Sequence, residues 1–406
     1  MGAGAAGTSL VTSPSCVHCG LCHSACPTYV ELGNEADSPR GRIALMQSLE
    51  AGTLALTDAA RGHLDLCLGC RACETACPSG VRYGEMIEAV RPRLDASRPP
   101  LARAWRRLLG RVLTSRVGTL PLRLAARLPG RSALARLGSW GAFVAALPAP
   151  RAGRVPARLE PEGRPRGTAL LLTGCVSDAL FRPTTVAAAR LLQRAGWCVL
   201  VPPEQGCCGA LGAHLGQADD ARAKARDLVH VVTAHRPDVV VTTAAGCGAH
   251  LLGYGRLLPD DPAAAELAGR ARDVLAVLAD SELPAPCGRY ARRVAVHDPC
   301  HLAHGQGVRS EVRLLLAAIP GIVLVPLEDS DVCCGSAGTY NLTERDMAGR
   351  LLERKIRHVE ASGAEVIAAA NPGCLLQIRA GLLARGSVVT VEHPVDVLAR
   401  AHGWTP

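Results

Sequence analysis

Two copies of one cysteine string constrain this chain more than any other feature. Cys16, Cys19, Cys22, Cys26 and Pro27 form the first, and Cys67, Cys70, Cys73, Cys77 and Pro78 the second, each cysteine 51 residues after its counterpart. Both read C-x-x-C-x-x-C-x-x-x-C-P, a spacing of iron–sulfur ligands. Three thiolates three residues apart on a tightly turning loop can grip three irons of one cube, while the fourth, carried onward, points elsewhere. A structural zinc site usually takes two cysteines per arm and has no proline rule. Disulfides are the other alternative. An eight-cysteine match at fixed spacing, duplicated, selects iron–sulfur clusters over both.

The string is that of bacterial-type ferredoxins, in which the fourth cysteine ligates the other cluster. One 4Fe-4S cluster is therefore expected on Cys16, Cys19, Cys22 and Cys77, and a second on Cys67, Cys70, Cys73 and Cys26. Between the strings, Ser38 and Pro39 read as the N-cap and first residue of a helix. Ile43, Leu45, Met46 and Leu49 then follow at helical spacing until Gly52. A second helix from Thr57 delivers Cys67. The module is thus expected to be a helical ferredoxin rather than the small β-sheet kind. Arg40 and Arg42 read either as cluster neighbours that offset negative charge or as a solvated helix face.

With 406 residues and 48% apolar content, the chain has material for two or three domains. No apolar run reaches the 18 or so residues of a spanning helix, and Met1 to Leu10 lacks a basic region followed by an apolar one. Eighteen cysteines without an export signal point to a reducing compartment, the cytoplasm, and to metal or redox chemistry. Gly2 to Gly7 formally matches G-x-G-x-x-G, but no strand precedes it, so no dinucleotide site is expected there. No P-loop occurs either.

The net charge of +9 is local: residues 98 to 166 hold fifteen arginines, no lysine or aspartate, and only Glu160 and Glu162. Leu101, Trp105, Leu108, Leu109, Val112 and Leu113 recur there at helical period, with Arg103, Arg107 and Arg111 on another face. Three roles are open for this basic amphipathic segment: a packed linker helix, a docking surface for an acidic partner or anionic lipid, and nucleic-acid binding. The last lacks a motif and the aromatic residues that stack bases. No nucleic-acid partner is expected.

From Gly167 the chain turns α/β and repeats itself. Expected strands at Ala169 to Leu172, Trp197 to Val201 and Val239 to Val241 lead to Cys175, to Cys207-Cys208-Gly209 and to Cys247. Val294 to Val296, Ile322 to Val325 and Val366 to Ala368 lead likewise to Cys300, Cys333-Cys334-Gly335 and Cys374. Matching cysteines lie 125, 126, 126 and 127 residues apart, which marks an internal duplication. Loops at the carboxyl ends of an open parallel sheet line the ligand crevice. Cys175, Cys207, Cys208 and Cys247 are therefore expected to gather at one site, and Cys300, Cys333, Cys334 and Cys374 at another, as a further cluster or as redox thiols. Adjacent cysteines suit neighbouring irons of a cluster better than one tight zinc cage. Buried structural cysteine explains Cys198 and Cys287; it does not explain a duplicated C-C-G. His297, His301 and His304 surround Cys300, and each reads as a satisfied structural histidine.

This layout resembles the iron–sulfur subunit of glycolate oxidase (glycolate dehydrogenase). The resemblance runs nearly the whole chain and includes the strings at 34–42, 77–84, 297–301 (His297-Asp298-Pro299-Cys300-His301), 333–340 and 371–374. Subunits of anaerobic glycerol-3-phosphate dehydrogenase, of lactate utilisation and of heterodisulfide reductase share the layout. In the last, a further cysteine follows each set three residues on; here His250 and Gln377 stand at those places, which argues against an unusual cluster and against an enzyme acting at a C-C-G site.

The resemblance implies oxidation of glycolate to glyoxylate at an FAD on a partner subunit, with electrons relayed to a quinone or similar acceptor. Clusters pass single electrons, whereas oxidising a 2-hydroxy acid needs a two-electron acceptor such as a flavin. The chain is thus expected to be the electron-transfer subunit of the complex and not catalytic alone. A lactate or glycerol-3-phosphate dehydrogenase subunit is the alternative. The expected architecture is multi-domain, α+β and α/β. Residues 1–97 are the helical ferredoxin domain, 98–166 an Arg-rich helical linker, 167–290 the first cysteine-rich domain and 291–406 the second. A peripheral contact with the inner face of the cell membrane is expected from the basic segment.

Overall fold

The computed structural model describes residues 16–115, 117–136, 138–148 and 155–404, without the side chains of residues 132, 136, 139 and 140. The Gly2 to Gly7 string and several of the arginines between 98 and 166 lie outside the described residues.

Residues 16–100 fold into helices joined by turns and loops. Ser38 caps Pro39–Glu50 by accepting from the Gly41 N–H, and Thr57 caps Asp58–Asp65 by accepting from that of Ala60. Ile43, Met46 and Leu49 of the first helix, Leu64 of the second, and Met86, Ile87, Val90 and Leu94 of the helix Tyr83–Ala96 close one small core. The cysteine strings lie against its rim.

Nine strands form two sheets among the described residues. The first holds β1 (Arg158–Leu159), β2 (Gly167–Leu172), β3 (Trp197–Leu200), β4 (Val239–Thr242) and β5 (Ala271–Asp273), in the order β1-β3-β2-β4-β5. Only the β1–β3 pair is antiparallel. The second holds β6 (Arg293–His297), β7 (Val323–Val325), β8 (Val366–Ala369) and β9 (Thr390–Glu392), all parallel, in the order β7-β6-β8-β9. Omitting β1, the two orders are the same pattern. β2 and β4, like β6 and β8, are buried along nearly their whole length, as strands covered by helices on both faces must be. In each sheet the chain leaves the central strand to one side and returns to the other, which opens a crevice at its carboxyl end.

The two halves share a core and pack reciprocally. Helix Arg182–Arg194, after β2, packs on Pro394–Ala401, after β9; helix Ser310–Ala317, after β6, packs on Val274–Ala279, after β5. Leu191, Leu192, Val274 and Leu278 of one half mix there with Val312, Leu316, Val395 and Leu398 of the other. Such an exchange is that of an isologous contact between two copies of one fold.

The helix Pro100–Thr114, expected to be amphipathic, packs by one side. That side, with Leu109 and Gly110, lies against Leu215 and Gln217, and Arg106 reaches the Leu215 carbonyl and Asp95. Leu101, Trp105 and Leu108 of its apolar residues are 86%, 61% and 53% exposed. Among the described residues no helix is long and apolar enough to cross a membrane.

Candidate metal centres

Each cysteine string is curled by two left-handed residues at the same offsets: His18 (φ 54°) and Gly20 (φ 81°) in the first, Gly69 (φ 66°) and Arg71 (φ 63°) in the second. These reversals turn the three leading thiols inward. Glycine meets the requirement without cost, and His18 and Arg71 are the non-glycine residues that bear it. Arg40 pins the first loop, donating from Nη1 to the His18 carbonyl (2.8 Å) and pairing with Glu35 (2.8 Å). Cys16, Cys19, Cys22, Cys77 and Cys73 line one small hollow together with Ile43 and Val81. Burial pushes the Cys22 thiol up, and Cys19 is exposed.

Cys26 stands between the two groups, within electrostatic reach of Cys22 as well as of Cys70 and Cys73. The helix Pro27–Leu32 starts immediately after it, and its sulfur is buried 3.3 Å from Thr28 Oγ1. Its charge would be felt at Cys70 and Cys73, whose thiols burial pushes well up. The Cys67 sulfur accepts from the Gly69 N–H (3.4 Å) and the Tyr83 hydroxyl (3.5 Å). Arg42, 1% exposed, lies against this group: Nη1 donates to Thr28 Oγ1 (3.0 Å) and sits 3.9 Å from the Cys26 sulfur, and Nε donates to the His63 carbonyl (2.7 Å). Burial alone would lower its pKa; the Tyr83 phenol, Cys67, Cys26 and Asp37 override it, so the guanidinium stays charged. A buried fixed cation suits a site that gathers anionic thiolates. Of the two roles read for Arg42, the structure supports that of cluster neighbour.

In the α/β halves the cysteines leave the carboxyl ends of β2, β3, β4, β6, β7 and β8. Both C-C-G glycines are left-handed, Gly209 at φ 88° and Gly335 at φ 86°. A Cβ on Gly209 would meet the Ala221 carbonyl at 2.9 Å, and one on Gly335 the Ala348 carbonyl at 2.6 Å. The turn therefore needs glycine twice over, for its conformation and for the helix against which it lies. Cys175 and Cys207 approach to 3.5 Å, and Cys208 and Cys247 to 3.2 Å. Contacts with Cys175 and Cys208 bring Cys207 down to about 3, while Cys175 and Cys208 rise. In the second half, contacts with Cys333 and Cys374 draw Cys334 well down, while Cys333 and Cys374 rise. Cys198 lies buried within β3, and Cys287 is exposed beside the Ala401 carbonyl, both away from these groups.

The two tetrads do not make separate sites. All eight thiols line one cavity of about 190 Å³, between the facing carboxyl ends of the two sheets. Asn371 ties the halves there: Oδ1 accepts from the Gly246 N–H (3.4 Å), and Nδ2 lies 3.6 Å from the Cys374 sulfur. The second cysteine string abuts the same place. Leu68 lines the cavity, Cys70 and Cys300 share an apolar cluster with Cys333, and His301 Nε2 lies 2.9 Å from the Gly69 carbonyl. His214, which sequence reasoning passed over, also lines the cavity, its ring tilted 33° to that of His301 at a centroid distance of 5.4 Å. Burial keeps both imidazoles neutral by lowering their pKa. No spacing rule singles out His214; only the fold brings it there.

A curated relative from Bacillus subtilis, the probable glycolate oxidase iron–sulfur subunit, is 36% identical over 96% of this chain and 94% of its own. The chain belongs to the family of glycolate oxidase iron–sulfur subunits. The glycolate oxidase iron–sulfur subunit of Escherichia coli is 34% identical over 95% of this chain and 93% of its own. Lactate utilization protein A of Shouchella clausii is 29% identical over 56% of this chain and 97% of its own. Within the family layout, residues 13–81 match the 4Fe-4S dicluster domain, and 169–252 and 294–379 each match the cysteine-rich domain. The expected order, a helical iron–sulfur module followed by a duplicated α/β cysteine-rich region, is the observed one.

Proposed function

We propose that this chain is the iron–sulfur electron-transfer subunit of a glycolate oxidase complex. It would receive electrons from an FAD-bearing subunit that oxidises glycolate to glyoxylate and hand them towards a quinone or similar acceptor. Cys16, Cys19, Cys22 and Cys77 are proposed to hold one 4Fe-4S cluster, and Cys67, Cys70, Cys73 and Cys26 the other; the hollow that Cys16, Cys19, Cys22 and Cys77 line supports the first set, and the buried Arg42 cation beside Cys26 supports the second. These clusters supply single-electron transfer when bound. Segments 1–97, 98–166, 167–290 and 291–406 are read as the ferredoxin module, the basic connector and the two cysteine-rich units.

The observation that carries this reading is the apolar cluster that Cys70 and Cys300 share with Cys333, which joins the ferredoxin module to the eight-thiol cavity. Thiol groups stand in succession from exposed Cys19 to the cavity, as an electron relay requires. The purified, flavin-free chain should leave dye unreduced when glycolate is added, and a flavoprotein partner should restore dye reduction. Glycolate-dependent reduction by the single chain alone would show that the oxidation site lies here and end the proposal.

The basic segment supports a docking role on that partner. Leu101, Trp105 and Leu108 are exposed beside Arg107 and Arg111, and the nearby Asp219 and Asp220 already pair with Arg222 and Lys224. Contacts between exposed charges weaken as salt shortens the screening length to about 3 Å at 1 M. Association with the flavoprotein should therefore fall with salt, and Arg103→Gln, Arg107→Gln and Arg111→Gln together should weaken it and flatten that dependence. Unchanged affinity and salt response would make the segment a linker, and binding of the triple variant to anionic vesicles weaker than that of the unaltered chain would move its role to the inner face of the membrane.

A further inference from the structure

The two tetrads are not equivalent, and the difference is a histidine. β2 ends in Leu172, an apolar residue packed in its own half, whereas β6 ends in His297, the residue 125 positions on. His297 is 1% exposed and lines the cavity, and its ring meets the Cys334 sulfur while neither nitrogen meets an oxygen or nitrogen partner. Its neighbours in sequence are satisfied as read: His301 meets the Gly69 carbonyl, and His304 meets Thr75 (2.9 Å) and Arg309 (3.1 Å). The structural role expected for all three therefore fails for His297 alone. A deeply buried imidazole with thiols rather than oxygen or nitrogen groups about it is poorly satisfied as a structural residue.

What faces it is sulfur. One ring nitrogen of His297 and the sulfurs of Cys334 and Cys374 all lie within 4.8 Å of one another, and no other trio of His, Cys, Asp or Glu does so among the described residues. Ligands about 2.0 to 2.3 Å from one ion sit within that span of each other. The C-terminal tetrad is thereby split: Cys300 and Cys333 turn to Cys70 and Leu68, while Cys334 and Cys374 turn to His297. His250, three residues beyond Cys247, joins no such trio and stands edge-on to Tyr254 at 5.6 Å.

We propose that His297 is a metal ligand. With Cys334 and Cys374 it forms a mixed imidazole–thiolate site for a borderline-soft ion, zinc or iron, whereas the N-terminal tetrad presents sulfur alone. The inference rests on the tetrads binding metal and does not depend on which hydroxy acid the complex oxidises. Imidazole in place of thiolate removes negative charge from a centre, and in iron–sulfur proteins it raises the potential. The two sides of the cavity would then differ in electron affinity.

Full-length chain prepared anaerobically decides the matter. Total metal is counted, zinc is examined by its X-ray absorption edge and iron by nitrogen couplings in pulsed paramagnetic resonance. The expected result is an imidazole shell or nitrogen coupling in the unaltered chain. His297→Ala should weaken zinc or iron retention by more than the 10- to 100-fold that follows loss of an outer partner, and His297→Cys should restore it. The ferredoxin signals, unchanged throughout, report that each variant has folded. Equal metal in His297→Ala and the unaltered chain overturns the proposal, as does an unaltered chain whose extra metal shows no nitrogen. If His297→Ala loses the ferredoxin signals as well, the presence or absence of nitrogen in the spectrum of the unaltered chain is decisive. A chain holding no metal beyond about eight irons instead refutes metal binding by the tetrads as such.

Discussion

Cys26→Ser should cost the chain about four irons, taken from the cluster held by Cys67, Cys70 and Cys73, and leave the cluster held by Cys16, Cys19 and Cys22 nearly whole. Cys26 is 6% exposed, and its sulfur lies near Cys70 and Cys73 and against Arg42. Serine offers an alkoxide only at great cost in so buried a place, and removing the thiolate leaves the guanidinium facing fewer anions. Paramagnetic resonance on the reduced variant resolves the two signals. Loss of the signal belonging to Cys16, Cys19 and Cys22 instead would show that the strings do not cross.

The second large effect is expected from Cys208→Ser combined with Cys334→Ser. Two ferredoxin clusters account for about eight irons, so anaerobic protein should exceed that figure, with acid-labile sulfide rising in step if the excess is cluster. The double variant should fall back to about eight. Both thiols are almost wholly buried, 3% and 1% exposed, and each neighbours two other sulfurs of its tetrad. Serine at either place keeps the shape and removes the soft ligand. Iron and sulfide that never exceed about eight, with or without the substitutions, would assign these cysteines to thiol redox chemistry.

The parts legible in the sequence were those whose chemistry is local or repeated. Ligand spacing in the strings is set within a dozen residues, Ser38 and Thr57 announce their helices, and the constant offset between the halves marks six strand ends. The parts that were not legible depend on distant residues. His297, His301 and His304 look alike in a row; what separates them is whether Gly69, Thr75 or Arg309 comes within reach, and only the docking of the cysteine string decides that. Leu101, Trp105 and Leu108 have the period of a packed face, but the neighbour they would need covers only the other end of their helix. The joining of two tetrads at one cavity follows from how the sheets face each other, on which spacing is silent.

The reciprocal packing of the helices has a hereditary consequence. A single cysteine-rich unit could bury its helices in this manner only against a second copy of itself, so an unduplicated ancestor would have paired with its own kind. In such a pair every substitution appears on both sides of the cavity at once. Duplicating the gene frees each side to change alone, and Leu172 opposite His297 is the kind of difference that a pair of identical copies could not hold.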